Sequence, residues 1–298
     1  MGGFAHIGFI ECLSERKLLE NVDTWVGCSI GSLVALMSVI GMSPTEIFKR
    51  CLVLDGSIFN FKNISRLWAG FNLDGAAARP DQFGLDDGEY FFAFMVDILV
   101  QNGFDPGVTF AELEKQTGKR LIVLATNLTT AQEIYMSPAT TPREKVLRAV
   151  RMSVGIPFLL TPVVLENGDC VVDGGVTENY PLEYAMHDFL SRKPRLDAFS
   201  AVLGCNLEAH PPKQILTLEE YLAALIFCSL RKPGAVTRFS ANTVRVFLNF
   251  EDTFDFSASD AVRTRLRATG YDEAYKFLAK HPRWNSCFVK LGPKVKLD

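Results

Sequence analysis

Thr24-Trp25-Val26-Gly27-Cys28-Ser29-Ile30-Gly31-Ser32-Leu33-Val34-Ala35-Leu36-Met37 is the stretch on which the reading of this chain turns. A short β-type run, Thr24-Trp25-Val26, leads into Gly27-Cys28-Ser29-Ile30-Gly31, and an apolar run from Ile30 to Met42 leads out. A strand that passes through G-x-S-x-G into a helix is the pattern of a nucleophile elbow. The turn is tight, so Gly27 and Gly31 are expected to lack side chains because there is no room for them. Ser29 would stand at the apex with its hydroxyl projecting beyond the sheet edge. The helix that follows would aim its first amides, and the positive end of its dipole, at a developing oxyanion. The same letters also fit an ordinary glycine-rich strand-to-helix turn. Gly27, Cys28, Ser29, Ile30 and Gly31 are therefore candidates through their context, not through the letters alone.

The segments around this turn alternate between strand-like and helix-like patterns. Ile7 to Leu19 reads as a helix, with Ile10, Leu13 and Leu18 roughly on one face. Ser43-Pro44-Thr45-Glu46 combines a capping serine, a proline at the first helical position and a glutamate at the third, so a helix opens there. Thr141-Pro142-Arg143-Glu144 repeats the device and predicts a helix to about Met152, with Arg143, Lys145, Arg148 and Arg151 on a solvated face. Leu121 to Leu124 is a continuous apolar run, as in a strand buried on both faces. Phe199 to Leu203 and Val244 to Leu248 read similarly. Leu182 to Leu190, Leu218 to Leu230 and Ala258 to Ala268 read as helices. Segment 55–84, rich in Gly, Asn, Asp, Phe and Pro, reads as a surface excursion or lid. Its apolar residues, from Ile58 to Phe71, suit either an acyl-chain groove or core beneath a loop. Strands interleaved with helices predict an α/β fold around a largely parallel sheet.

Composition narrows the function classes. With 298 residues the chain has room for one large domain or two small ones. A hydrophobic share of 48% and a charged share of 22% describe a globular protein and exclude a disordered one. Lys plus Arg number 31 against 34 Asp plus Glu, a net charge of −3, so nothing favours a nucleic-acid partner. The 23 phenylalanines suit a bulky core or a pocket for something apolar. The cysteines, at 12, 28, 51, 170, 205, 228 and 287, are scattered and never form a CxxC pair. Neither a zinc site nor a disulfide framework is expected, and reduced thiols point to an intracellular setting. No apolar run reaches the roughly 20 residues of a spanning helix, and no cleavable signal peptide is visible. The expected location is intracellular, cytoplasmic or peripheral at membranes.

A serine hydroxyl needs a base to become a useful nucleophile. His6 precedes Ser29, His187 lies in a helix-like stretch, His210 precedes two prolines and His281 sits beside Pro282. None occupies a glycine-bearing loop of the kind that presents a catalytic imidazole. Asp173-Gly174-Gly175 is different. It follows the strand-like Cys170-Val171-Val172, and its glycines let the backbone bend sharply and approach a neighbour. An aspartate held there beside apolar surface would gain basicity by desolvation and accept the serine proton directly. Asp-Gly is also the commonest letter pair for a hairpin turn, and taken alone the motif reads as that turn.

The two motifs in this order resemble the patatin-like phospholipase family. Further stretches are similar: Ala5-His6-Ile7-Gly8, Thr109-Phe110-Ala111-Glu112-Leu113, Ala125-Thr126-Asn127-Leu128-Thr129, Ser153-Val154-Gly155-Ile156-Pro157-Phe158, and Asp173-Gly174-Gly175 through Asn179 and Pro181. The resemblance implies a patatin-type α/β/α sandwich with a central, mostly parallel sheet over residues 1–280, and a C-terminal tail, 281–298. It implies hydrolysis of lipid acyl esters by a Ser–Asp dyad, with Ser29 as nucleophile and Asp173 as base, without catalytic histidine, metal or cofactor. The implied substrate is a phospholipid or another acyl lipid, with peripheral membrane contact.

The chain departs from the family at its start. Members run an apolar strand into Gly-Gly-Gly-x-Arg/Lys-Gly, which supplies oxyanion amides, whereas this sequence opens Met1-Gly2-Gly3-Phe4. In one register Gly3 takes the last glycine slot and Gly2 the basic slot. In another, Gly2 and Gly3 end the triplet. Gly2, Gly3 and Ile30 are thus the oxyanion candidates, and the first strand is expected to be missing, leaving a chain of poor solubility or low activity. Two rival readings stay open. One is an α/β-hydrolase esterase whose triad recruits His187, His210 or His281. The other is a binding module impaired in catalysis.

Overall fold

Burial of every residue from Leu121 to Asn127 marks a strand covered on both faces, and this strand, β3 (Arg120–Asn127), organises the molecule. In the computed structural model, residues 2–54, 83–210, 214–216, 221, 224, 225, 228, 238–249 and 258–284 are described. β1 (Thr24–Cys28) runs parallel to β3, from Thr24 opposite Arg120 to Cys28 opposite Leu124. β4 (Gln132–Met136) returns antiparallel along Val123 to Asn127. β7 (Cys170–Asp173) is also antiparallel, with Asp173 opposite Ala125 and Val171 opposite Asn127. β6 (Val163–Val164) adds to β7.

A strand has two edges, and the pairing of β4 overlaps that of both β1 and β7. β1 and β7 must therefore share the edge that β4 leaves free. They approach each other head on, with Cys28 against Leu124 and Asp173 against Ala125. This arrangement joins positions far apart in sequence.

The α/β class holds, but the central sheet is mixed and not mostly parallel. Of its four strand pairings only β1 with β3 is parallel; β3 with β4, β3 with β7 and β6 with β7 are antiparallel. The reason is partly local: a short turn after Asn127, held by its side-chain oxygen accepting from the Thr129 and Thr130 amides, forces β4 back antiparallel. Two further pairs are parallel, β2 (Gly84–Asp86) with β5 (Phe158–Leu160), and β8 (Gly204–Ala209) with β9 (Thr243–Leu248).

Helices cover this framework. α2 (Ile30–Val39) is buried from Ser32 to Val39, as an apolar helix inside a core must be. α1 (Gly3–Glu15) packs on α8 (Asp260–Lys280) through two glycines. A Cβ on Gly8 would lie 1.8 Å from the Arg267 carbonyl oxygen, and one on Gly270 would lie 1.9 Å from that of Ala5. Arg267 pairs with Glu11, and the Tyr271 hydroxyl donates to Glu15 at 2.5 Å along the same seam. Trp284 is fully buried and donates its indole N–H to the Ala241 carbonyl at 3.1 Å, so the packed body continues past residue 281.

α3 (Pro44–Leu52) starts with the capping box read at Ser43 and Glu46. Thr109 and Glu112 form another at α5 (Phe110–Thr117). The box-like Thr141 to Glu144 opens no helix: α6 (Val146–Ser153) begins later. Tertiary pairing prevails there, because the Phe110 and Ala111 amides donate to the Glu144 and Pro142 carbonyls, and Val146 donates to Val108. Arg151 does not belong to a solvated face either. It is buried and donates to the Asp87 and Thr161 carbonyls near the start of α4 (Glu89–Gln101). α7 (Leu182–Arg192) forms where expected. The strand read at Phe199 to Leu203 is displaced to β8. Asp197 caps a short 3-10 turn at Ala198–Ser200, and the Asn242 side chain binds the Phe199 and Val202 carbonyls. Residues 55–82, and most of the helix read at 218–230, lie outside the described residues. Among the described residues no helix is long and apolar enough to cross a membrane.

Candidate active site

Ser29 sits between the end of β1 and the start of α2 with φ 52° and ψ −136°, a conformation that costs an L-residue about 1–3 kcal/mol and persists only where its surroundings enforce it. Those surroundings are specific. The Ser29 amide donates to Ser153 Oγ at 2.9 Å. Its carbonyl accepts from the Ser32 amide at 2.8 Å and from Ser32 Oγ at 2.6 Å. A Cβ on Gly27 would lie 2.4 Å from Ser32 Cα, so this glycine is compelled by space. Gly31 is not: a Cβ there would meet only the His6 ring, with Nε2 at 3.7 Å and Cδ2 at 4.0 Å, ordinary contacts.

Asp173 ends β7 with no exposed surface. Its Oδ2 accepts from Ser29 Oγ at 2.5 Å across 144 residues of sequence. Its Oδ1 accepts from the Gly175 amide at 2.8 Å, and its own amide donates to the Gly155 carbonyl at 2.9 Å. Burial raises the carboxyl from 3.8 to about 7, against the opposing pull of the Ser29 hydroxyl and the Gly175 amide. Asp-Gly-Gly makes no hairpin. Gly174–Val176 is a 3-10 turn, and Gly174 lies against Leu124, where a Cβ would come within 2.5 Å of the carbonyl oxygen.

A strained serine at a strand-to-helix turn is thus hydrogen-bonded to a buried aspartate that opens an Asp-Gly-Gly turn. The model of the patatin-like phospholipase family matches residues 1–186. The chain belongs to the patatin-like phospholipase family.

A relative named "Probable lipid hydrolase 463L", from Invertebrate iridescent virus 6, is 29% identical over 186 residues, covering 62% of this chain and 61% of its own length. The uncharacterized protein R571 of Acanthamoeba polyphaga mimivirus is 30% identical over 184 residues, covering 60% of this chain and 56% of its own. These matches thus span about three fifths of the relatives' length. The crystal structure of VipD from Legionella pneumophila shares the fold, with a TM-score of 0.57 at 17% identity, over 94% of this chain and 65% of that one.

In this patatin-like chain no histidine completes the pair of serine and aspartate. Neither Ser29 nor Asp173 hydrogen-bonds to a histidine. His187 and His210 are exposed, the latter beside the Phe247 ring at 6.0 Å, and His281 leans on Phe277 at 4.4 Å. His6 alone approaches the elbow, and burial lowers its pKa to about 4, so it is neutral. Cys28 donates its thiol to the Glu178 carbonyl at 3.4 Å. Burial first, then Asp173, Glu178 and Glu133, raises its pKa well above the ordinary thiol value, so it stays protonated.

The oxyanion candidates are brought together in part. Gly3 packs on Ile30, where a Cβ would meet Cγ1 at 2.7 Å, whereas Gly2 faces Leu207 and Leu248. Gly2 is helical and caps α1, its carbonyl accepting from the Ala5 amide at 2.9 Å, so these glycines form a helix start and not a separate loop. Ile30 supplies the first residue of α2, where the helix offers the Ile30 and Gly31 amides no partner of its own, while the Ser32 amide is taken by the Ser29 carbonyl. Among the described residues no three His, Cys, Asp or Glu gather as a metal site requires. Sequence reasoning assigned no role to Ser153, Gly155 or Leu124. The only trace of the first two was the stretch Ser153 to Phe158 among the family-like segments.

Proposed function

We propose that this chain is a lipid acyl hydrolase of the phospholipase A or lysophospholipase type, a carboxylic ester hydrolase that works through a Ser29 acyl-enzyme with Asp173 as general base. The observation that carries the reading is the 2.5 Å hydrogen bond from Ser29 Oγ to a carboxylate with no exposed surface and a pKa near 7. A base titrating near the working pH combines a useful ionised fraction with real proton affinity.

Asp173 takes the proton of Ser29 as Oγ bonds to the ester carbonyl carbon. The oxyanion meets the leading amides of α2, beginning with Ile30, with Gly3 alongside. The tetrahedral adduct collapses, the C–O bond to the alcohol breaks, and Asp173 returns the proton to the leaving oxygen. Water then attacks the acyl-enzyme, giving its proton to Asp173, and the fatty acid leaves as Ser29 recovers that proton. The substrate is a phospholipid or another acyl lipid met at a membrane surface.

The test is fatty-acid release from phosphatidylcholine and lysophosphatidylcholine vesicles, together with labelling by a fluorophosphonate. Ser29→Ala should abolish both. Fatty-acid release that survives in Ser29→Ala, or labelling at another serine, overturns the reading.

A further inference from the structure

One short stretch holds the backbone of both members of the Ser29–Asp173 pair. Ser153, the last residue of α6, accepts the Ser29 amide at 2.9 Å. Two residues later the Gly155 carbonyl accepts the Asp173 amide, also at 2.9 Å. Ser153 is fully buried, so its hydroxyl has no water to fall back on. It donates its proton to the Leu124 carbonyl at 2.6 Å, which leaves lone pairs facing the Ser29 amide. The hydrogen bonds therefore run one way, from the Ser29 amide through the Ser153 hydroxyl to Leu124.

Leu124 is the β3 residue opposite Cys28, and its neighbour Ala125 is opposite Asp173. β3 thus sets the two strand ends, and the end of α6 fixes the residues that stand on them. The left-handed backbone of Ser29 makes the first of these bonds consequential. Without a partner for its amide, the serine can relax toward an ordinary conformation, and Oγ swings away from Asp173.

We propose that Ser153 is a positioning residue for the reaction: by accepting the Ser29 amide it holds the nucleophile's strained backbone so that Oγ stays within hydrogen-bond reach of Asp173. The proposal rests on the reading of Ser29 as nucleophile and Asp173 as base. It concerns geometry alone, since Ser153 touches the backbone of Ser29 and not its hydroxyl.

The experiment compares wild type, Ser29→Ala, Ser153→Ala, Ser153→Cys and Ser153→Thr by vesicle hydrolysis, fluorophosphonate labelling rate and thermal melting. Ser153→Ala and Ser153→Cys should melt as single folded species and lose about 10–100-fold in kcat with KM little changed, the size of a small misplacement of a reacting group. The labelling rate should fall by the same factor. The midpoint of the pH profile should move upward, because the Ser29 hydroxyl bond that restrains the Asp173 pKa is weakened. Ser153→Thr, which keeps a hydroxyl, should recover much of the rate. Ser153→Ala labelled at the wild-type rate, with Ser29→Ala unlabelled, overturns the proposal and leaves the dyad reading intact. So does a loss confined to melting temperature, with kcat and the pH midpoint unmoved. Activity that survives in Ser29→Ala, or a wild type that is neither labelled nor active, removes the dyad reading and this proposal with it.

Discussion

Asp173→Asn should remove nearly all turnover and, at neutral pH, make the protein more stable. In the unfolded chain the Asp173 carboxyl titrates at its ordinary value of 3.8, whereas in the fold burial holds it at about 7. A carboxyl whose folded pKa is raised binds its proton more tightly in the native state. That contribution to stability is complete below pH 3.8 and is lost as pH rises through 7. The loss is about 1.4 kcal/mol for each pH unit in that window, and so roughly 4 kcal/mol in all. Asparagine fills the same space without titrating, and every other group cancels between the two proteins. The stability difference, variant minus wild type, should therefore grow by roughly 4 kcal/mol between pH 4 and pH 7.5 and then level off. For a chain of this size that is a relative rise in melting temperature on the order of 10 °C. Urea or thermal denaturation at half-unit pH steps measures it. In the wild type kcat/KM should rise with pH through a midpoint near 7, and Asp173→Asn should lower it about 10²–10⁴-fold at every pH. A stability difference that does not change with pH, or an activity midpoint near 4, refutes the assignment of a buried, proton-accepting carboxylate.

The two elbow glycines should behave differently. Gly27→Ala drives a Cβ to within 2.4 Å of Ser32 Cα and should cost about 1–3 kcal/mol or more in urea denaturation, whereas Gly31→Ala meets only an ordinary contact and should stay within about 1 kcal/mol of wild type. Gly270→Ala, whose Cβ would lie 1.9 Å from the Ala5 carbonyl oxygen, should prise α1 from α8 and lower the melting temperature by several degrees. His187→Gln, His210→Gln and His281→Gln should each retain most of the vesicle hydrolysis. A loss with any of them as deep as that of Asp173→Asn would bring back a triad.

The elbow was legible because its determinants are local. Gly27, the serine and the apolar run after it lie within one turn of backbone, and steric crowding acts between near neighbours. Asp173 was legible for a related reason, since a carboxylate followed by two glycines leaves a mark in the sequence wherever the chain bends it into a crowded place. Ser43 and Glu46 were legible as a capping box because the bonds that satisfy a helix start are made within four residues. The equivalent letters at Thr141 failed because the backbone there is taken by residues 108–111. No local rule reports such a partner. Arg151 misled for the same reason: helical spacing says which residues share a face, but not that Asp87 and Thr161, just past the ends of β2 and β5, receive this one.

The sequence by itself determined the α/β class, the strand–serine–helix turn, the candidate serine and aspartate, and the absence of a histidine in a suitable loop. These follow from short-range sterics, hydrogen-bonding needs and hydrophobic periodicity, all written in neighbouring residues. Tertiary structure decided that the sheet is mixed and that β1 and β7 meet head on along one edge of β3, which brings Ser29 to 2.5 Å from Asp173. It also decided that Ser153 and Gly155 hold those two backbones, and that Asp173 is dry enough to titrate near 7. Desolvation and strand register are properties of whatever packs around a residue, and those neighbours are contributed by segments tens to more than a hundred positions away.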